Sequence, residues 1–160
     1  MNQSSLSNTG ALNNSGGLGN YGNLSNAGAL NNDGNLFNGG SLANLSTGAL
    51  NNNAGGTLDN NGSLRNYGNL SNDGRLNNSG SLSNAGTLNN KGILFNTGSL
   101  SNLSTGMLNN NAGGTLDNNG SLRNYGNLSN DGRLNNSGSL SNAGTLNNKG
   151  ILFNTGLILI

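Results

Sequence analysis

The chain has 160 residues, a length that fits one domain, but 29 Gly, 7% charged and 4% aromatic residues and no Pro, Cys, His or Trp set it apart from an ordinary globular domain. Six basic residues against five Asp give a net charge of +1, with no basic stripe to neutralise a phosphate backbone and no apolar run near the roughly 20 residues of a spanning helix, so the composition speaks against nucleic acid as a partner and against a membrane span. Low hydrophobicity would suit a disordered segment, yet disorder goes with high net charge and irregular spacing, and neither is found here.

Residues 1–5 form a short polar lead. Met1 to Gly10 shows neither a charged start nor an apolar stretch, so the segment does not read as a signal peptide. From Leu6 to Gly156 the chain repeats Leu-x-Asn-x-Gly-x, as in Leu24-Ser25-Asn26-Ala27-Gly28-Ala29 followed by Leu30-Asn31-Asn32-Asp33-Gly34-Asn35. Four units are longer by two residues and start at Leu42, Leu50, Leu100 and Leu108. A longer period lies over the first: residues 51–98 are identical to 109–156, an offset of 109 − 51 = 58, and residues 6–48 are a diverged copy of 64–106. The expected organisation is a partial copy over 6–49, copies over 50–107 and 108–156, and an apolar tail over 157–160. Lack of Cys suits a bacterial exterior and a cytosol equally.

A Leu every six residues smears around an α-helix but stays on one side of an extended chain. Leu, Asn and Gly then share the inward parity and the variable positions face out. Asn and Gly tolerate φ > 0, so each unit is expected to be one short strand and a corner. Coiling the units stacks Leu on Leu and Asn on Asn at the roughly 4.8 Å strand spacing, where an inward Asn bonds to the Asn above and below it. Each 58-residue copy holds seven hexads and two octads, nine units, and nine divides by three but not by two. The predicted fold is all-β: a parallel β-solenoid, or β-helix, with three-sided coils of three units, in which Asp73 stacks under Lys91 and Asp131 under Lys149. Twenty-four units give about eight coils, roughly 38 Å.

Runs such as Gly56-Thr57-Leu58-Asp59-Asn60-Asn61-Gly62 and Gly86-Thr87-Leu88-Asn89-Asn90 resemble the repeat regions of filamentous-haemagglutinin-type adhesins and autotransporter passengers. That resemblance covers Leu6 to Gly156 and implies a right-handed β-helix secreted by Gram-negative bacteria. The signal and N-terminal secretion domain of the family have no counterpart in these residues. The strict hexads also resemble the left-handed hexapeptide helices of acyltransferases, so the sequence leaves handedness open.

Chemistry is sparse. The usual acyltransferase mechanism needs a His base, and the chain has none. Glycan-cleaving β-helices cluster carboxylates on one face, whereas Asp33, Asp59, Asp73, Asp117 and Asp131 are scattered, with Asp59 and Asp117 expected three coils apart, roughly 14 Å. Calcium solenoids need an Asp in each short repeat, and here the position is Asn, a neutral and weaker ligand. Triplets such as Asn23-Leu24-Ser25 and Asn69-Leu70-Ser71 match a glycosylation pattern that so much Asn and Ser produces by chance. Phe37, Phe95, Phe153, Tyr67 and Tyr125 fall on the outward parity, as platforms for sugars, a sticky edge, or cover for neighbouring strands. Thr57, Thr87, Thr97 and Thr105 form no continuous file of the kind an ice-binding face favours. No catalytic, cofactor-binding or metal site is assigned, and no cofactor. The expected function is a structural stalk or fibre of a secreted or cell-surface bacterial protein with a candidate adhesive role. A glycan- or ice-binding surface is the alternative, and a glycan-cleaving enzyme ranks behind it. The expected partners are the chain itself, stacking end to end for want of a visible cap, and a host or surface glycan.

Overall fold

The computed structural model describes all 160 residues as 25 strands with no helix. Each unit supplies a four-residue strand x-Leu-x-Asn and a short bend. Every strand pairs in parallel with the strand three units on, which gives three sheets of nine, eight and eight strands. Leu24 lies between Leu6 and Leu42, and Asn26 between Asn8 and Asn44. The same register holds along all three faces, as expected for a three-sided β-solenoid.

Nineteen Leu are buried in one continuous column, with Leu6, Leu12, Leu18, Leu146, Leu152 and Ile158 partly buried at its ends. Burying one such Leu contributes about 2 kcal/mol. The inward Asn residues occupy the three corners of the coil and form three ladders. Asn8 Nδ2 donates to Asn26 Oδ1 at 2.7 Å, Asn26 to Asn44 at 2.8 Å and Asn44 to Asn66 at 2.8 Å. A second Nδ2 bond reaches a backbone carbonyl of the neighbouring coil, as from Asn8 to Ala29 O at 2.8 Å. No buried side-chain polar atom is left without a partner. The amides thus meet the requirement that makes a buried polar group tolerable.

Glycine plays a different part from the one its conformational freedom suggested. Among all residues only Gly55 and Gly113 have φ in the left-handed region, at 89° and 87°. Both sit in the long units, whose extra residues are taken up by tight turns at 45–48, 53–56, 103–106 and 111–114 without disturbing the register. In the hexads Gly is needed because the chain crosses the preceding coil too closely for a Cβ. A methyl at Gly28 would strike the carbonyl oxygen of Gly10, and one at Gly86 that of Gly68. The corner is therefore shaped by stacking along the axis.

The two terminal segments also join the coil. Asn2 bridges to Asn20 and extends one Asn ladder, its Nδ2 donating to Asn20 Oδ1 at 2.7 Å, and Ser5 opens the first strand. The apolar run is a strand, Leu157–Leu159, that pairs with Ser139–Asn142 and sets Ile158 over Leu140. It adds a twenty-fifth strand to the 24 units counted from the sequence.

Candidate functional surfaces

Because Leu and Asn fill the interior, every group able to meet a partner stands on an outer face or a corner. Three faces alternate with three corners, and each carries its own chemistry.

The face that runs from Gly17–Asn20 to Ile151–Asn154 has the most varied groups. In its strands the position after Leu reads, coil by coil, Phe37, Asp59, Asn77, Phe95, Asp117, Asn135, Phe153. The position before Leu runs Asn35, Thr57, Arg75, Ile93, Thr115, Arg133, Ile151 over the same coils. Arg75 Nε donates to Asn77 Oδ1 at 2.9 Å, and Asn77 Nδ2 donates to Asp59 Oδ1 at 2.7 Å. The second copy repeats this as Arg133 to Asn135 at 3.0 Å and Asn135 to Asp117 at 2.6 Å. Asp59 and Asp117 stand three coils apart, so each carboxylate has an amide beside it and no second carboxylate. At the N-terminal end, Gly17 and Gly19 leave a shallow apolar hollow lined by Met1, Tyr21 and Phe37, with the Tyr21 and Phe37 rings 5.3 Å apart.

The face from Ser5–Asn8 to Leu157–Leu159 presents a file of Ser41, Ser63, Ser81, Ser99, Ser121 and Ser139. Its only charges are Arg65 and Arg123, each opposite serines on the coils that follow. This file was not read from the sequence, although the signal is plain afterwards: Ser precedes the repeat Leu of every third unit from Leu42 to Leu140. The face from Ala11–Asn14 to Thr145–Asn148 carries no charge, and it extends the amide ladder to the outside. Asn31 donates to Asn13 at 2.8 Å, and Asn51 to Asn31 at 2.8 Å.

The corners separate charge from apolar surface. One holds Asp33, Asp73, Lys91, Asp131 and Lys149. There Lys91 N donates to Asn72 O and Lys149 N to Asn130 O, which places Lys91 one coil above Asp73 and Lys149 one coil above Asp131. Asn53 Nδ2 donates to Asp33 Oδ1 at 2.7 Å in the same file. A second corner is apolar, with Leu45 next to Tyr67 and Leu103 next to Tyr125, all exposed. The third is small and polar beyond the exposed Tyr21 at its N-terminal end, with Ser79 donating to Asn61 at 2.6 Å. Parity grouped the Tyr and Phe residues as outward, and the corners separate Tyr67 and Tyr125 from the Phe face. Thr57, Thr87, Thr97 and Thr105 fall on a face, another face, a corner and a turn in that order.

These features define the class: a parallel three-sided β-solenoid built from tandem repeats, with its chemistry on the outside. A family profile described as a haemagglutinin repeat matches residues 126–160, which is 35 of the 160 residues. The chain is thus similar to haemagglutinin repeats over its last six strands. No curated protein and no solved structure gives a significant match.

Proposed function

We propose that the chain is a segment of a structural stalk or fibre of a secreted or cell-surface bacterial protein, with an adhesive role carried on its outer faces. The observation that carries this reading is the stacking of the 58-residue copies. Residues 51–98 and 109–156 are identical, and the second set follows the first three coils further along with the same pairing partners. A unit that adds about 14 Å of length and leaves the cross-section unchanged is what a spacer needs. Similarity to haemagglutinin repeats supports placement outside the cell and an adhesin-like rather than catalytic role.

Two measurements test it. Concatemers of two, four and eight 58-residue copies should appear by electron microscopy as unbranched rods whose length grows by about 14 Å per copy. An antibody against the solenoid should label intact producing cells, and external protease should remove the signal. Rods that collapse into globules, or antigen reached only after lysis, would defeat the proposal.

A further inference from the structure

The Phe face adds an apolar rung to a three-coil alternation of charge, where the neighbouring corner alternates Asn, Asp and Lys on the same period. Along the axis its rungs run apolar, acidic, basic, and repeat: apolar at Phe37, Phe95 and Phe153, acidic at Asp59 and Asp117, basic at Arg75 and Arg133. Read backwards, the series exchanges acid for base and leaves every apolar rung in place. A two-fold axis lying along the strand of Ile93 and Phe95 performs this reversal when two molecules meet face to face. It sets Phe95 on Phe95, Arg75 opposite the rung of Asp117, Asp59 opposite the rung of Arg133, and Phe37 opposite Phe153.

We propose that this face is a docking surface for a second copy of the chain, packed with its long axis antiparallel to the first. Charge decides the polarity. A parallel arrangement would set each acidic rung against an acidic rung and each basic rung against a basic one, and like charges brought together across an interface are unfavourable. A slip of one rung would put Phe against a charged rung and bring like charges together elsewhere, so the allowed registers differ by whole 58-residue copies. The bonds within each molecule favour the contact: Asn77 engages only Oδ1 of Asp59 and only Nε of Arg75. The other carboxylate oxygen and the terminal guanidinium nitrogens are free to cross. Neither remaining face offers such a match. The Ser face has Arg65 and Arg123 but no acidic residue to oppose them, and the Asn face has no charge to select a register.

Seven rungs of four residues present about 450 Å² per molecule, about 900 Å² for the pair, which is the range of weak and transient interfaces. Each further copy adds three rungs and strengthens the pairing. The proposal stands apart from the stalk reading, since a stalk that never pairs is still a stalk.

Sedimentation equilibrium of the full chain, with Leu157→Lys and Ile158→Pro in every sample to hold back end-to-end growth, tests it with three proteins: the otherwise wild-type chain, Arg75→Asp with Arg133→Asp, and Asp59→Arg with Asp117→Arg. Circular dichroism confirms that each is folded. The wild type should dimerise in a concentration-dependent way and more weakly at high salt. Each variant alone should associate at least about tenfold more weakly, and a 1:1 mixture of the two should regain the loss. A wild type that stays monomeric, variants that associate as well as the wild type, or a mixture no tighter than its components would each overturn the proposal. Should a charge variant fail to fold, Ile93→Cys beside the two-fold axis, in an otherwise wild-type and cysteine-free chain, decides the matter. A short bis-maleimide should link it into dimers and leave Ser83→Cys on the Ser face unlinked; equal yields would refute the pairing.

Discussion

Asn60 Nδ2 donates to Asn78 Oδ1 at 2.6 Å inside the coil, and Asn78 in turn donates to Asn96 Oδ1 at 2.7 Å and to Ser99 O at 2.9 Å. One side chain therefore serves partners in the coil before and the coil after. Asn78→Ala removes it and leaves Asn60 Nδ2 and Asn96 Oδ1 each short of a bond in a site closed to water. Each such loss costs about 1–3 kcal/mol, so the variant should be about 2–6 kcal/mol less stable than the wild type. Urea unfolding would check this. A change below about 0.5 kcal/mol would show that the ladder contributes little to stability.

Glycine substitutions should divide by position. A methyl at Gly86 would lie 2.6 Å from the carbonyl carbon of Tyr67 and would press on the Gly68 oxygen that accepts from Thr87 N. Gly86→Ala should cost about 3 kcal/mol or more, because two coils must part to admit it. At Gly17 no atom lies within 4 Å of the added methyl, so Gly17→Ala should be neutral or stabilising by about 0.5 kcal/mol through the unfolded chain. Thermal melts of the two variants should move apart, and equal shifts would remove the close-approach explanation for the conserved spacing within the repeat.

The Leu column is the third test. Leu76 is fully buried between Leu58 and Leu94. Leu76→Asp puts a charge there with no partner, and the coil and its neighbours should unfold. Ser83 stands outside on the next face, opposite Arg65 of the coil before, so Ser83→Asp should leave the melting temperature within a few degrees of wild type. Circular dichroism of the pair separates inward from outward parity.

The inward assignments of Leu and Asn, the three-sided coil and its register were legible because they follow from arithmetic: a period that is a multiple of two, and nine units in each copy. Glycine was legible as a requirement but not in its reason. Composition shows that Gly tolerates φ > 0, whereas the approach of Gly86 to Gly68 depends on where the neighbouring coil runs. The outer faces were harder to read, because Asp59 and Arg75 or Ser41 and Ser63 become neighbours only after the number of faces is known. Each of those pairs is a whole coil apart in sequence.

Asp73 and Lys91 occupy one corner on adjacent coils, and both are exposed. Solvent screening limits such a pair to no more than about 1 kcal/mol. A double-mutant cycle with Asp73→Asn and Lys91→Gln should give a coupling within that limit, falling further at 1 M salt. A coupling of several kcal/mol would mean that the corner is drier than its exposure indicates.

The last expectation concerns the two ends of the 160-residue polypeptide studied alone. Each sheet finishes on a strand with an open edge: Ser5–Asn8, Ala11–Asn14 and Gly17–Asn20 at one end, the last covered only by the bridge from Asn2 to Asn20, and Leu157–Leu159, Thr145–Asn148 and Ile151–Asn154 at the other. Such strands offer unpaired N–H and C=O groups on which a further strand can add. The Asn ladders are open there too. Asn148 and Asn154 donate to Gly150 O and Gly156 O within their own coil, whereas Asn130 and Asn136 donate to Asn148 and Asn154 of the next coil. Because the ladders run in one sense, from Nδ2 to the next Oδ1, the final amides of one molecule suit the first Asn oxygens of another. The isolated chain should therefore stack end to end with rising concentration, into filaments visible by electron microscopy. Replacing Leu157 by Lys and Ile158 by Pro should shorten them, since Pro removes an edge donor and Lys repels an incoming strand. The face-pairing charges at Asp59, Arg75, Asp117 and Arg133 lie away from these edges, so reversing them should leave filament length unchanged. Particles that stay monodisperse and one molecule long at high concentration would rule out end-to-end growth.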